Sequence, residues 1–175
     1  MLERENEWPI GPDGLPTRSA ARVILLTENN MVLLIRGHDF NAPSASWWFT
    51  VGGGQEPNET VQQTAIRECF EETGYRLQEK DLEGPVIYRN SKFFFADRTR
   101  RQIEHFFIAR VPEFSLSTQR WTRDENQVLD EMRWFPIESL TAVLDDRPIY
   151  PQLLPTLLKE WSINGWDGQC VKIEE

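Results

Sequence analysis

Three glutamates close together in the sequence are the strongest candidates for chemistry in this chain. Glu68, Glu71 and Glu72 are spaced at i, i+3 and i+4, so on a helix their side chains share one face. Like charges at this spacing destabilise an isolated helix by roughly a few tenths of a kcal/mol per pair. A divalent cation would turn this repulsion into attraction, and Mg²⁺ takes carboxylate oxygens as ligands while it bridges to substrate phosphates. The spacing therefore predicts a metal site.

The three glutamates belong to a longer pattern of charged and glycine residues at fixed spacings: Gly53, Glu59, Arg67, Glu68, Glu71, Glu72 and Gly74. The stretch from Gly53 to Tyr75 resembles the signature box of the Nudix hydrolases, and all charged and glycine positions of that box are matched. Cys69 and Tyr75 stand where an aliphatic residue is usual. Weaker resemblance extends from about Ala21 to Leu144.

The resemblance implies a hydrolase that depends on Mg²⁺ or Mn²⁺ and cleaves a nucleoside diphosphate linked to a further moiety, X. Water would attack phosphorus and release a nucleotide and phosphorylated X. In this family the residues that match Glu71 and Glu72 are metal ligands, and Glu68 would be a further ligand or the general base. The backbone carbonyl of Gly52 would complete the coordination.

Other residues of the box are expected to act through structure. By the resemblance, Arg67 pairs with Glu59 or Glu68 and supports catalysis by holding that glutamate in place. Glu59 fits an anchor at the start of the helix, and Gly74 fits its C-terminal cap. Cys69 lies on the predicted apolar side of the helix, which favours a packing role over a nucleophilic one.

A further acid is expected from a loop late in the fold, because many members of the family recruit one just before a strand that ends in Trp-Phe. Four acids lie in that segment: Asp124, Glu125, Asp130 and Glu131. We choose Glu125 as the additional catalytic residue, although the spacing does not single it out and loop acids are often only solvated. Glu104 is an alternative that could contact substrate, or be an outward-facing strand residue.

Positive groups that could bind the substrate are less clearly marked. Arg36 follows an apolar run, so a loop there could place it over a cleft, where it would bind phosphate. His38 shows no metal-binding spacing, and His105 lies in an aromatic-rich stretch that favours a structural role. The segment 97–101 holds three arginines, and we interpret it as a solvated hairpin tip.

Aromatic residues offer a stacking surface for a nucleobase, because a flat ring binds any base. Trp47, Trp48 and Phe94 are the candidates, and we take Trp48 as a substrate-binding residue. The competing interpretation is packing in the core, where aromatic side chains are more often found.

Short apolar runs predict strands at 22–26, 31–35, 47–51, 86–89, 92–96, 102–110 and 131–136. Helices are expected after Thr60, where Thr60 and Gln63 fit a capping box, and at about 137–144 and 152–161. We therefore predict an α/β (α+β) fold with a mixed β-sheet between helices, and the Nudix resemblance implies the same α/β/α sandwich. Residues 1–18 are interpreted as an irregular lead-in, and 19–175 as a single domain.

Charge and composition exclude several classes. A net charge of −9 argues against a protein that binds nucleic-acid polymers, which would show a basic face. No signal peptide and no apolar run near 18 residues is visible, which predicts a cytoplasmic protein without a membrane partner. The two cysteines form neither a zinc pattern nor a disulfide framework. The oligomeric state is open; a homodimer is one option, since dimers are common among soluble oligomers.

Two other functions compete with a hydrolase of nucleoside diphosphate derivatives. A ligand-binding regulator on a Nudix fold usually loses box glutamates or carries a DNA-binding domain, and neither is visible. An isoprenoid-diphosphate isomerase would need further metal ligands, typically histidines, and the chain has two histidines. The sequence does not reveal the identity of X, the base preference, the number of metal ions or which acid is the general base.

Overall fold

The computed structural model of the chain describes residues 8–144 and 147–175, so the first seven residues of the predicted lead-in lie outside the described residues. Strands β1–β8 form one sheet, and their bounds are Thr17–Leu26, Met31–Asp39, Ala42–Phe49, Val51–Gly54, Glu83–Phe94, Thr99–Arg110, Leu129–Pro136 and Val171–Glu174. Helices α1, α2 and α3 span Val61–Thr73, Leu140–Val143 and Leu154–Asn164. Short 3₁₀ turns lie at Glu79–Asp81, Glu125–Gln127 and Ile137–Ser139.

The sheet is mixed, as the sequence predicts. Its main path runs β3-β2-β1-β6-β5-β8, with β4 paired to β1 and β7 paired to β2. The pairs β1–β6 and β5–β8 are parallel, and the remaining pairs are antiparallel. Beyond its pairing with β6, strand β1 pairs with β2 only at Leu26 and with β4 over residues 20–23. This fork places the glycines of β4 beside the middle of the sheet.

Helix α1 has the boundaries that its local sequence predicts. The Thr60 hydroxyl accepts from the Gln63 amide and the Gln63 side chain accepts from the Thr60 amide, which completes the capping box. Gly74 ends the helix at φ 77°, the left-handed conformation that glycine adopts without strain. Both ends are fixed by residues within three or four positions, so the glutamates of the box lie on a well-defined helix.

The helices cover the sheet from both sides, which confirms the predicted sandwich. On one face α1 packs over a core that includes Val23, Leu25 and Phe107. On the other face α3 packs over a core that includes Ile24 and Ile108. Neighbouring residues of β1 enter different cores because successive side chains of a strand point to opposite faces.

Strand β6 changes character along the face that α3 covers in part. Arg100, Gln102 and Glu104 occupy its first half, whereas Phe106 and Ile108 occupy the second half. All five side chains lie on one face because they alternate at every second residue. The apolar half joins the α3 core, and the polar half borders a cleft.

The strands of the structure differ from the prediction in three places. The runs at 86–89 and 92–96 belong to one strand, β5, because Asn90 and Ser91 keep their pairing with β6. The run at 47–51 is divided between β3 and β4 at Thr50. Strand β8 was not predicted, because its alternating Val-Lys-Ile-Glu sequence lacks a continuous apolar run.

Candidate active site

A cleft of about 450 Å³ opens over the polar half of the sheet and reaches the glycines of β4 and the inner side of α1. Its lining is rich in charge: the carboxylates are Asp39, Glu68, Glu72, Asp97, Glu104, Asp124 and Glu125, and the arginines are Arg18, Arg22, Arg89 and Arg100. Because acids outnumber arginines, an anionic ligand would need additional positive charge to bind here.

The glycines of β4 allow α1 to approach the sheet closely. A Cβ atom on Gly53 would lie 2.6 Å from the carboxyl carbon of Glu68, and one on Gly52 would lie 2.2 Å from the Ala21 carbonyl oxygen. The backbone of Gly52 also has φ 141°, a conformation that residues with a side chain rarely adopt. Its amide donates to Glu72 Oε2 at 2.9 Å. The backbone of β4 therefore positions both buried glutamates of the helix.

Glu68, Glu72 and Glu125 converge at one end of the cleft. Each offers a carboxylate oxygen, and these oxygens lie within 4.8 Å of one another. Glu125 reaches the pair from the 3₁₀ turn before β7. The indole of Trp121 ties this loop to the helix, because its Nε1 donates to the main-chain carbonyl of Glu72 at 3.1 Å. The amide of Thr122 donates to Glu125 Oε2 at 2.6 Å and orients that side chain.

Burial makes negative charge unfavourable on two members of this cluster. It raises the pKa of Glu72 well above its usual value, and the neighbouring Glu68 charge raises it further, whereas the Gly52 amide lowers it. Burial also raises the pKa of Glu68, against the lowering effect of Arg67. A divalent cation would offset both effects, because its charge favours the ionised carboxylates. The donor set and its electrostatics therefore fit a hard divalent metal ion.

Arg67 binds several carboxylates around helix α1. Its guanidinium donates to Glu59 at 2.7 Å, to Glu68 at 2.8 Å and to Glu71 at 3.1 Å, so both predicted pairs are present. It also donates to the Gly54 carbonyl at 2.9 Å, which ties the helix to β4. Arg67 lowers the pKa of Glu59 to about 2.

Glu71 lies apart from the cluster of Glu68, Glu72 and Glu125. Its side chain is 45% exposed and pairs with Arg67, four residues before it. Glu72 is 4% exposed, so neighbouring glutamates of the box face different surroundings. Glu68 and Glu72 are buried because α1 lies so close to β4, so of the three box glutamates Glu71 alone is exposed to solvent.

Glu104 lies on the cleft floor and is 1% exposed, so the alternative of an outward-facing strand residue is wrong. One of its oxygens accepts from Arg22 and Gln102 at 2.8 Å each, and the other accepts from Arg89 at 2.6 Å. Burial raises the pKa of Glu104, but Arg22 and Arg89 outweigh burial and hold it below its ordinary value. Glu104 thus serves to pair the arginines of the floor.

The carbonyl of Gly52, expected to face a metal ion, accepts a hydrogen bond from Arg22 Nη1 at 2.8 Å. The same guanidinium donates to the Thr50 carbonyl at 3.3 Å. Arg22 therefore connects Glu104 to the glycines of β4, and the amide of Gly52 in turn binds Glu72.

Two residues expected to bind substrate lie outside the cleft lining. Arg36 is inside β2 rather than in a loop, and it pairs with Asp130 at 3.5 Å and Glu131 at 3.0 Å across to β7. Trp48 is fully buried and packs edge-on against Phe135 with ring centroids 4.8 Å apart, so it cannot stack on a base. The adjacent Trp47 lines the cleft instead. Strand alternation separates the two tryptophans.

The phenylalanines near the end of β5 show the same alternation. Phe94 is 79% exposed and lies outside the cleft lining, whereas Phe93 and Phe95 on either side of it line the cleft. The β5–β6 tip is more than a solvated turn, because Arg100 is buried, pairs with Asp97 at 3.0 Å and lines the cleft with it. Sequence reasoning missed the cleft arginines, although polar residues at every second position of 100–104 indicated a polar face.

The histidines and the remaining loop acids take structural positions. His38 borders the cleft, and its Nδ1 lies 3.0 Å from Asp130 Oδ1. His105 packs edge-on against Tyr88 at 5.4 Å, and burial lowers the pKa of its ring. Neither histidine joins the three glutamates that converge in the described part of the chain. Asp124 lines the cleft beside Glu125.

Comparisons with known proteins agree with this geometry. The sequence model of the NUDIX domain matches residues 16–157. Diphosphoinositol polyphosphate phosphohydrolase 3-alpha of Mus musculus is 26% identical over 147 residues, which cover 83% of this chain and 80% of that protein.

Solved structures show the same fold. The MutT protein from Methanosarcina mazei Go1 superposes with a TM-score of 0.56 at 19% identity, over 85% of this chain and 95% of that one. The E. coli dihydroneopterin triphosphate pyrophosphohydrolase has a TM-score of 0.54 at 20% identity, over 83% and 95%. Within residues 8–144 and 147–175, no helix is long and apolar enough to cross a membrane.

Proposed function

The chain belongs to the Nudix hydrolase family, and on that premise we propose that it hydrolyses a diphosphate linkage in a nucleoside diphosphate derivative, with Mg²⁺ or Mn²⁺ as its cofactor. Water would attack one phosphorus atom, and the products would be a nucleoside monophosphate and phosphorylated X. The observation that carries the proposal is the convergence of Glu68, Glu72 and Glu125 at the end of the cleft.

The balance of charge supports metal dependence. Seven carboxylates and four arginines line the cleft, so a diphosphate would be repelled unless cations accompany it. Bound divalent ions would supply this charge, stabilise the negative charge that develops on the phosphoryl oxygens and lower the pKa of an attacking water. Glu68 and Glu72 would hold them, since their buried oxygens face the cleft and gain from a nearby positive charge.

The hydrogen-bond partners of the three glutamates suggest a different role for each. Arg67 fixes Glu68 and the Gly52 amide fixes Glu72, so both side chains are held in place before the substrate arrives. Glu125 lies on the loop and is less buried, and the Thr122 amide occupies one of its two oxygens. We therefore assign Glu125 as the group that takes the proton from the attacking water, and Arg67 as a positioning residue.

The same geometry supports a hydrolase over the other two functions considered. A ligand-binding regulator does not need three carboxylates within 4.8 Å of one another. An isomerase with additional histidine ligands is disfavoured by His38, which pairs with Asp130, and by His105, which packs on Tyr88. Both cysteines are free, which fits the reducing cytoplasm that we propose as the site of action.

The experiment is an assay of the purified protein with nucleotide sugars, ADP-ribose, dinucleoside polyphosphates and nucleoside triphosphates. We expect turnover with Mg²⁺ or Mn²⁺, loss of turnover with a chelator, and recovery when metal is added back. Hydrolysis in ¹⁸O-labelled water, followed by mass spectrometry of the products, identifies the phosphorus that water attacks. A protein that turns over no member of the panel with either metal would contradict the proposal.

A further inference from the structure

Aromatic rings form much of the cleft lining, and we call those near the end of β5, on β3 and in the adjoining loops the aromatic wall. Eight of the thirty residues that line the whole cleft are phenylalanine, tyrosine or tryptophan, against 11% aromatic residues in the whole chain. Such a concentration of half-buried rings beside an otherwise charged cleft calls for a ligand with a flat apolar face.

Three rings form the centre of this wall. Phe93 and Phe95 stack with centroids 5.7 Å apart and an interplanar angle of 17°. The ring centroid of Trp47, on β3, lies 6.5 Å from that of Phe95, and the two ring planes are inclined at 52°. The rings thus form a wedge that opens between β3 and the β5–β6 hairpin.

The wedge is held in place by charged groups behind it. The Arg100 guanidinium lies 5.0 Å from the centroid of Phe95, and that of Arg89 lies 5.4 Å from Phe93, so each phenyl ring is fixed by a cation–π contact. Asp39 is 6% exposed and connects the β2–β3 turn to the β5–β6 turn. Its oxygens accept from the amide of Asn41 at 2.9 Å and from the amide of Ala96 at 2.8 Å.

The wedge and the glutamates line the same cleft at different levels of the sheet. Arg22, which holds the Gly52 carbonyl, is in register with Phe106 of β6, and Phe93 is in register with Arg100. Six residues of β6 separate these two levels, so the wedge and the glutamates lie at different heights along the strand. A diphosphate at the glutamates thus leaves room for a ring system at the wedge.

We propose that Trp47 and Phe95 form the subsite for a planar aromatic ring, the base of the nucleoside diphosphate derivative. The inference rests on the proposed function and adds which substrates the cleft selects. It separates this chain from relatives such as the Mus musculus enzyme, whose name specifies diphosphoinositol polyphosphates. A polyphosphorylated inositol has no flat apolar face, and it would meet arginines whose charge Glu104 and Asp97 already balance.

The test compares substrates with and without a base. Initial rates with Mg²⁺ are measured on ADP-ribose and UDP-glucose, and on 5-phosphoribosyl diphosphate and a diphosphoinositol polyphosphate. We expect kcat/KM to be at least about tenfold higher for the substrates that carry a base. Trp47→Leu and Phe95→Leu should each reduce this preference about tenfold, mainly through KM.

Phe94→Leu is the matched control, because it makes the same change one residue away, at a ring that is 79% exposed and outside the cleft lining. It should keep the preference of the original protein. Equal or better turnover of the base-free substrates, or the same preference in Phe95→Leu and Phe94→Leu, would overturn the subsite. The two cleft variants lie on different elements, so a folding defect in one, detected from its Tm, leaves the other to decide.

The subsite can also be tested if the protein turns over none of these substrates, which would count against the proposed function. Calorimetry then measures the binding of AMP, GMP, CMP and UMP. Binding that is retained in Phe94→Leu and lost in Phe95→Leu would support the ring subsite on its own. No binding of any nucleotide to the original protein would overturn it.

Discussion

Two ends of one sheet face differ in what holds them together. Phe106 and Glu104 are neighbours on the same face of β6, and each is 1% exposed. Phe106 is held by the apolar core under α3, where burial of a large side chain contributes about 1.5–3 kcal/mol. Glu104 is held by Arg22 and Arg89, which compensate for the loss of water around its charge. The two side chains are equally buried, but apolar contact area stabilises Phe106 whereas ion pairs stabilise Glu104.

The two ends should therefore respond differently to substitution. At the polar end, removal of one charge leaves its buried partners with fewer groups to compensate their own charges. At the apolar end, removal of atoms leaves a cavity and no charge. The proposed function requires the polar end, because an anionic substrate needs charged and polar groups around it.

The largest effect is expected from Glu104→Gln, which breaks the pairing at the polar end. Arg22 would lose its carboxylate partner and Arg89 would keep Glu175 alone of its two, and breaking such a buried pair costs about 3–5 kcal/mol. Urea unfolding of the variant and of the original protein measures this difference in the free energy of unfolding. A loss below 1 kcal/mol would show that the floor is held by something other than this pairing.

A comparable loss of stability is expected at the apolar end from Leu158→Ala. Leu158 is fully buried on α3, and such a truncation costs about 2–5 kcal/mol through lost burial and the cavity left behind. The free energy of unfolding should fall while KM stays unchanged, because the side chain lies away from the cleft. An altered KM in the folded variant would contradict the separation of the two ends.

Where Glu68, Glu72 and Glu125 converge, Glu72→Gln should reduce kcat on the order of 10²-fold or more if Glu72 is a metal ligand as proposed, since even indirect supports of metal ligands cost 10- to 100-fold. Glu71→Gln is the matched control: it makes the same change on the adjacent residue, which is half-exposed and pairs with Arg67. We expect it to lower kcat less than about fivefold. Steady-state rates and Mg²⁺ titration calorimetry measure both variants, and equal losses would reject the assignment of Glu72 over Glu71.

A smaller effect is expected on the free energy of unfolding at acidic pH. Because Arg22 and Arg89 hold the pKa of Glu104 below its ordinary value, the ionised form is favoured in the folded chain. Its contribution is complete above the unfolded pKa of about 4.3 and is lost as pH falls below that value. The stability gap between the original protein and Glu104→Gln should therefore narrow below pH 4.3, which urea unfolding at several pH values measures. A gap that widens on acidification would contradict the pairing.

The smallest effect is chemical and concerns a buried group without an ionic partner. Burial raises the pKa of Cys69 to about 12, in contrast to the lowered pKa of the paired Glu104. At pH 8 an alkylating reagent should modify the exposed Cys170 in the folded protein and reach Cys69 only in urea. Mass spectrometry of the labelled peptides measures this. Rapid labelling of Cys69 without denaturant would show that this side of α1 is open to water.

Local features of the fold could be predicted because they depend on near neighbours in the chain. The capping box of Thr60 and Gln63, the Gly74 cap and the Arg67–Glu59 pair join residues no more than eight positions apart. A helix brings such residues together wherever it lies in the fold. Spacing was sufficient for the two caps, and the Nudix resemblance supplied the Arg67–Glu59 pair.

Features that depend on which face of a strand a residue occupies could not be predicted reliably. Trp47 and Trp48, or Phe94 and Phe95, have nearly the same composition around them, and only the packing of the sheet decides which ring meets the cleft. The place of Glu125 depends on a long-range tie, the hydrogen bond from Trp121 to α1, which no spacing reveals.

The contact between Gly52 and Ala21 has a practical consequence for redesign. Any side chain at residue 52 would overlap the main chain of the neighbouring strand, so saturation mutagenesis there should yield misfolded protein whatever substrate is screened. A library aimed at new specificity would do better to vary positions 47 and 95 and keep residue 52 constant.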